Sequence, residues 1–400
     1  MRRPRSPPCS GCTTSTWCPG WRSGRATIRT GRAGPSAPWN SHPNIGSIII
    51  DQGSTAGWPG AGGRMRTVNG VNGPIDGGDL GVTLPHEHVF INMTPTTPAD
   101  GYLNVWSDVE SELGLFRAAG GRTIVDLTNG ELSDHAAPVF WGDGAYDFAQ
   151  NRVTGSRSPA NVLATKAMAE ATGLNVVLGT GHYYQHYLDT EWWDRTSTNQ
   201  VADFLIRDLV DEIPGTGVKA GLLGEIASDL PWITPAEERS FRAAARAQRE
   251  TGVLLSTHAP TFPTGLAQLE ILREEGVDPE RVVVGHADTV KSLDYSLAVL
   301  ATGAYVQYDC MMTCRAGGAL VLPEIERRID YLKAVVDAGH GRKVLLSHDV
   351  CQRSHMASRG GAGFTFLFEE FLPRAVAAGI DPEVMTQIVS ENPRRALLGE

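Results

Sequence analysis

Two histidines one residue apart, His86 and His88 in "TLPHEHVF", point to metal chemistry. Alternate residues of an extended strand share a face, so both imidazoles would aim at one point. Neutral imidazoles are good ligands for zinc and its neighbours, and an odd choice for an apolar core. The pair alone is a weak signal, because His-x-His also occurs in solvated loops. Four further residues strengthen it: Glu225 in "AGLLGEI", His258 in "VLLSTH", His286 in "VVVGHAD" and Asp349 in "KVLLSHD" each close a short apolar run. Imidazoles and carboxylates suit divalent cations, and a bound cation can lower the pKa of its water to roughly 7.

Parallel strands are what must position these residues. Runs rich in Val, Ile and Leu at 81–88, 122–128, 174–180, 218–225, 253–258, 281–286, 304–309 and 343–349 alternate with segments of helical period. That alternation predicts an α/β fold, and eight strands close a (β/α)8 TIM barrel. Thr234, Pro235 and Glu237 form a capping box with proline at the first helical position. "PEIERRIDYLKAVVDAG" repeats the Pro-then-acid start and ends at glycine, and 363–397 is expected to add one or two helices. In such a barrel the C-terminal strand ends form one face, which carries the active site. His86 and Asp349, far apart in the chain, would meet there.

Each residue also has an ordinary reading. A lone strand-end histidine is commonly a hydrogen-bonded structural group, Glu225 could cap a helix, and Asp349 could open a turn. Six such residues on one face read better as a metal site, because unpaired polar groups near a barrel core are costly. Alternation turns His348 away from Asp349 and sends Glu87 outward toward the helix layer, so neither is expected to be a ligand. His42, His135 and His340 are expected in solvated loops or helices.

At 41% hydrophobic and 20% charged, the 400 residues describe a soluble globular protein. A net charge of −10 argues against nucleic acid as a partner. No apolar run reaches the length of about 18 that spans a membrane, and six cysteines do not make a disulfide scaffold. A cytoplasmic protein acting on a small-molecule substrate is expected, and a homodimer is compatible with the sequence. Residues 1–64 differ from the rest, with eight arginines, no lysine and one acid, Asp51. Cys9-x-x-Cys12 lacks the second pair a zinc site needs. This segment is expected to be a disordered or non-native extension before Met65, with the barrel at 65–400.

With "GVTLPHEH", "AGLLGEI", "TH" at 257–258, "GHAD" at 285–288, "SHD" and "ENPRRALL", the chain resembles the phosphotriesterase family of the amidohydrolase superfamily over residues 65–397. The resemblance implies a binuclear site, usually zinc, with manganese, cobalt or iron as substitutes. His86, His88 and Asp349 would hold one ion and His258 and His286 the other. In the organophosphate-hydrolysing members a carboxylated lysine joins the two. Glu225 occupies that position here, and Lys219, near the start of the strand, cannot reach the metal face.

That substitution, with "VQYD" and "QRSHMASRGGAGF", resembles the phosphotriesterase-homology or phosphotriesterase-related branch. The positions of the proton-relaying Asp and His of the organophosphate-degrading members correspond to Thr289 and Cys310. The implied reaction is attack of a metal-bridging hydroxide on a lactone, carboxylic ester or N-acyl amide, with Asp349 as general base. A dedicated phosphotriester or phosphoester hydrolase is the alternative, and a non-catalytic metal-binding barrel is a third reading. Substrate contacts are expected from His182, Tyr183 and Tyr184 after the third strand and from Arg353 and His355 after the eighth. Cys310 and Cys351 are expected only to line the pocket, since hydroxide needs no thiol nucleophile.

Overall fold

The structure, a computed structural model, describes residues 67–133, 139–141, 144–146, 150–311 and 324–400. The expectations for residues 1–64, His42 and His135 fall outside them. Eight strands form one parallel sheet in chain order: β1 (Thr83–Glu87), β2 (Thr123–Asp126), β3 (Asn175–Thr180), β4 (Leu222–Ala227), β5 (Leu255–His258), β6 (Val282–Gly285), β7 (Tyr305–Tyr308) and β8 (Val344–Leu346). Helices follow the first seven: α1 (Trp106–Ala118), α2 (Pro159–Thr172), α3 (Thr198–Val210), α4 (Pro235–Thr251), α5 (Gly265–Glu274), α6 (Leu293–Ala301) and α7 (Ile325–Asp337). Two helical runs, 363–377 and 382–398, follow β8. This is the expected TIM barrel. No helix among the described residues is long and apolar enough to cross a membrane.

The local signals act where they stand. Thr234 and Glu237 close the capping box of α4, whose end is set by Gly252 at φ 70°. Ser197 and Gln200 do the same for α3, and Ser158 with Pro159 opens α2. The strands are buried on both faces, as a parallel sheet covered by helices requires. Val125, Leu222, Val283 and Leu345 belong to an inner cluster, whereas their neighbours Ile124, Leu223, Val282, Val284, Val344 and Leu346 belong to the layer shared with the helices.

Alternation breaks in two strands, at the residues of interest. The register slips between Leu84 and Glu87 in β1 and between Leu223 and Ile226 in β4. Unbroken alternation from Leu222 would put Glu225 on the helix side; the irregularity at Gly224 swings it inward. The expected strand ends also shift by a few residues. Glu225 lies inside β4, which continues to Ala227, while His88, His286 and Asp349 lie just beyond β1, β6 and β8.

The barrel floor has two parts. A hairpin of Thr67–Gly70 and Gly73–Asp76, not anticipated from the sequence, contributes Val68 and Ile75 to the inner cluster. From the other end of the chain, Pro393, Ala396 and Leu397 face a small axial cavity that they share with Pro85, Val125, Leu222, Leu254, Val283 and Leu345. Asn392, fully buried, fixes that helix by donating to the carbonyls of Gly341 and Val344, both at 2.8 Å. Asn392→Leu would take the donor from the buried Val344 carbonyl and the half-buried Gly341 carbonyl, at a cost of about 1–3 kcal/mol. A lower urea midpoint with native far-UV circular dichroism is the expected outcome.

Candidate metal centre

The six sequence-chosen residues converge at one end of the barrel. Nitrogen and oxygen atoms of His86, His88 and Glu225 lie within 4.8 Å of one another, and so do those of Glu225, His258 and His286. Glu225 belongs to both groups. Its Oε2 is 3.4 Å from His86 Nε2, 2.8 Å from His258 Nδ1 and 3.3 Å from His286 Nε2. Its Oε1 is 3.9 Å from His88 Nε2. Asp349 stands beside the first group, with Oδ1 3.2 Å from His88 Nε2 and 3.9 Å from His86 Nε2.

Backbone geometry aims these side chains. Glycine precedes both Glu225 and His286 because neighbouring strands press in: a Cβ at Gly224 would meet Ser256 O at 2.8 Å, and one at Gly285 would meet Thr257 O at 2.3 Å. His286 and Asp349 adopt φ of 55° and 57°. A left-handed conformation costs a non-glycine residue roughly 1–2 kcal/mol, so the surroundings must hold both in place.

A second ring of groups orients the imidazoles from behind. Asp309, fully buried, accepts from His286 Nδ1 at 2.7 Å through Oδ1, while its Oδ2 lies 3.1 Å from His86 Nδ1. His88 Nδ1 is 2.9 Å from Thr128 Oγ1. Asp126 accepts from the Thr128 and Val89 amides and pairs with buried Arg157 at 2.9 Å. Nε2 of His88 and His286 is thereby left facing the centre, where His86 Nε2 and His258 Nδ1 also point toward Glu225.

The charges conflict until a cation is supplied. Burial favours a neutral His86, but Asp309 and Glu225 together outweigh it and raise its pKa to about 10. His286 rises well above its ordinary value in the same way, with Asp309 the main partner. Burial pushes the Glu225 carboxyl up, yet His258 and His86 hold it well below the usual carboxylate range. His86 Nε2 is fully buried without a hydrogen bond; Glu225 at 3.4 Å lacks the geometry. Lone pairs of buried imidazoles converging on carboxylates fit divalent cations.

Comparison with known proteins decides the family. The sequence model of the Phosphotriesterase family matches residues 66–142 and 150–397. The chain belongs to the phosphotriesterase family. It is 32% identical to the phosphotriesterase homology protein of Escherichia coli K12, covering 78% of this chain and 96% of the relative. The crystal structure of the Escherichia coli protein, with phosphate in its active site, superposes with a TM-score of 0.69 at 30% identity, over 80% of this chain and 99% of that one. An N-acetyltaurine hydrolase of Dictyostelium discoideum is 25% identical, over 84% of this chain and 98% of the relative. A phosphotriesterase-like lactonase of Deinococcus radiodurans, solved as a mutant, gives a TM-score of 0.66 at 25% identity, over 83% and 100% of the two chains. The protein is therefore a metal-dependent hydrolase of the phosphotriesterase family.

Family membership makes the remaining positions informative. Lys219 is exposed and donates to Val210 O, away from the centre. The Thr289 hydroxyl donates to His286 O and accepts from the Thr261 amide, both at 2.7 Å. Cys310 and Cys351 are buried, and burial pushes their pKa values well above the ordinary thiol value. Glu87 turns from the cluster toward the end of β8, where it meets His348.

Among the expected substrate contacts, Tyr183 and Tyr184 reach His258. The Tyr183 hydroxyl is 3.4 Å from His258 Nδ1, and the Tyr184 ring stacks on the imidazole at 5.8 Å. His182 instead bonds Glu131 at 2.6 Å and packs on Trp192 and Trp193. Arg353 lies over Tyr102 at 5.9 Å. His355 is buried, takes the Cys351 amide on Nδ1 at 3.4 Å, and has its pKa lowered by burial. Sequence reasoning missed Asp309, Thr128 and Glu131; for Asp309 the signal was there, an acid closing the apolar run of β7.

Two outcomes follow from this geometry. Asp309→Asn removes an anion from behind two imidazoles, and zinc affinity in chelator competition should fall by about 10–100-fold. Protons on His86 and His286 compete with a cation, so uptake releases protons and apparent affinity rises with pH toward the His86 value of about 10. Titration calorimetry of the metal-free protein in buffers of different ionisation enthalpy should read that release between pH 7 and 9.

Proposed function

We propose that the protein is a two-metal hydrolase of lactones, carboxylic esters or N-acyl amides. The observation that carries this reading is Glu225, a single carboxylate within reach of both histidine groups, Oε1 toward His88 and Oε2 toward His258 and His286. His86, His88 and Asp349 would hold one ion, His258 and His286 the other, with Glu225 joining them. Imidazole and carboxylate donors favour zinc, with manganese, cobalt and iron as substitutes. Bound ions supply activated water near neutral pH and polarise the substrate oxygen.

The chain's own residues handle the proton and the substrate. Asp349 is the most open of the six, with 16% of its side chain exposed, so it can meet water and substrate. It takes the proton of the attacking water and returns it to the leaving group. Burial keeps the Tyr183 phenol protonated, and from beside His258 it can donate to an oxygen gaining charge.

The fate of the proton selects the substrate class. Thr289 does not titrate, and the Cys310 thiol, raised by burial, takes up no proton at neutral pH. Neither corresponds to a relay that would carry the proton of Asp349 to solvent. A basic leaving group, alkoxide or amide nitrogen, collects that proton directly. An aryl phosphotriester expels a weakly basic phenolate that does not need it. The lactonase and N-acetyltaurine hydrolase relatives act on carbonyl compounds, as this reading has it for the present chain.

The test is a substrate panel with zinc-loaded protein: lactones, carboxylic esters and N-acyl amino sulfonates or amino acids beside a paraoxon-like triester. The carbonyl substrates should lead by at least tenfold in kcat/KM, and an equal or faster triester would sink the assignment. Asp349→Asn should lower kcat by about 10²–10⁴-fold, the range of a lost general base.

A further inference from the structure

We propose that Glu87 is a positioning residue: it clamps the seam between β1 and β8 and so sets Asp349 against His86 and His88. The inference rests on the assignment of those three residues to one ion. Neighbouring strands from β1 round to β8 are joined by backbone ladders, and among the described residues no ladder joins β8 back to β1. Yet the first ligand set straddles that seam, with two residues at the end of β1 and one beyond β8. Something other than a sheet must fix the distance across it.

Glu87 supplies the connection. It is fully buried, and its two oxygens accept from both sides of Asp349. Oε1 takes the Ser347 hydroxyl and the His348 amide at 2.8 Å, and His348 Nδ1 at 3.1 Å. Oε2 takes the Val350 amide at 2.9 Å. His348 Nε2 accepts from the Leu367 amide at 3.0 Å, which leaves the proton of a neutral ring on Nδ1, facing Glu87. Two weaker links run beside it: His86 N donates to Ser347 Oγ at 3.1 Å, and Asp349 N to His86 O at 3.3 Å. With the amides of 348 and 350 both held by one carboxylate, Asp349 is kept in its left-handed conformation with Oδ1 3.2 Å from His88 Nε2.

Glutamine at this position would turn an NH2 group toward amide and imidazole donors. The test compares wild type with E87Q and S347A, measuring zinc stoichiometry and the two affinities by chelator competition. H88A and H258A identify which affinity belongs to which histidine group, and circular dichroism checks the fold. In E87Q the ion of the His86, His88 and Asp349 group should weaken by about 10–100-fold, as for loss of an outer partner, while the other ion is retained. S347A, which removes one donor to Glu87 and the acceptor of the His86 amide across the same seam, should weaken the same ion less. If E87Q does not fold, S347A carries the same readout. Unchanged affinities in folded variants, or equal weakening of both ions, would overturn this proposal alone. A wild-type chain that binds one ion only would overturn the two-metal reading and this proposal with it.

Discussion

The top of the barrel is organised around one burial problem. Glu225 is 1% exposed, and the groups closest to its carboxylate are imidazoles, which are neutral by default at pH 7. Burying an ion costs several kcal/mol even after relaxation. Asp349 adds a second carboxylate beside it, with Asp309 and Glu87 just behind. Protons on His86 and His286 can offset the charge, and the raised pKa values of both show that pull. A divalent cation offsets it better: it brings two charges and gives buried His86 Nε2 the partner it lacks. The outer carboxylates are therefore more than scaffolding. If Asp309 did not accept from His286 Nδ1, that ring could turn away from Glu225.

The backbone yields to this centre at several points. β1 and β4 slip register, His286 and Asp349 take left-handed conformations, and Gly224 and Gly285 give up side chains to let carbonyls approach. Each departure is locally unfavourable and sits next to a candidate ligand. At the barrel floor Val125, Leu222, Val283 and Leu345 pack on a closing helix fixed by Asn392, and the close approach there is at a glycine too: a Cβ at Gly221 would meet Asn69 O at 2.6 Å. Left-handed non-glycine residues beside the candidate ligands are the strain that a supporting frame must hold in place.

Much of this was legible in the sequence, for a physical reason. A parallel sheet buried on both faces makes each strand a short apolar run, so all eight could be counted. The capping box at Thr234 and Glu237 marked α4 because backbone amides need those partners. Alternation was a poorer guide to direction. It would have aimed Glu225 at the helices, and only the residue type made it a candidate, because a slip in register leaves no mark in composition. Asp309 was visible as an acid at the end of β7. Thr128 and Glu131 had no such mark, since their partners His88 and His182 are neighbours only in the fold. The hairpin before β1 could have been read from its turn: "VNGVNGP" carries Asn-Gly twice.

Chemistry and selectivity are carried by different parts of the chain. The charged centre sits on strand ends tied to one another by buried hydrogen bonds, so its geometry is set by the barrel. The approach to it is made by loops. Tyr183, Tyr184 and Tyr187 pack their rings together, centroids 4.5–5.2 Å apart, against His258. Asp229 lies close enough to Tyr184 for its charge to raise the phenol pKa, although burial is the larger cause. After β8, Arg353 and Ser354 are fastened to Asp100 through their amides. Loops of this kind tolerate change far better than the strand ends they cover. The two tasks are thus divided: the strand ends set where a cation would be held, and the loops decide which substituents can reach it.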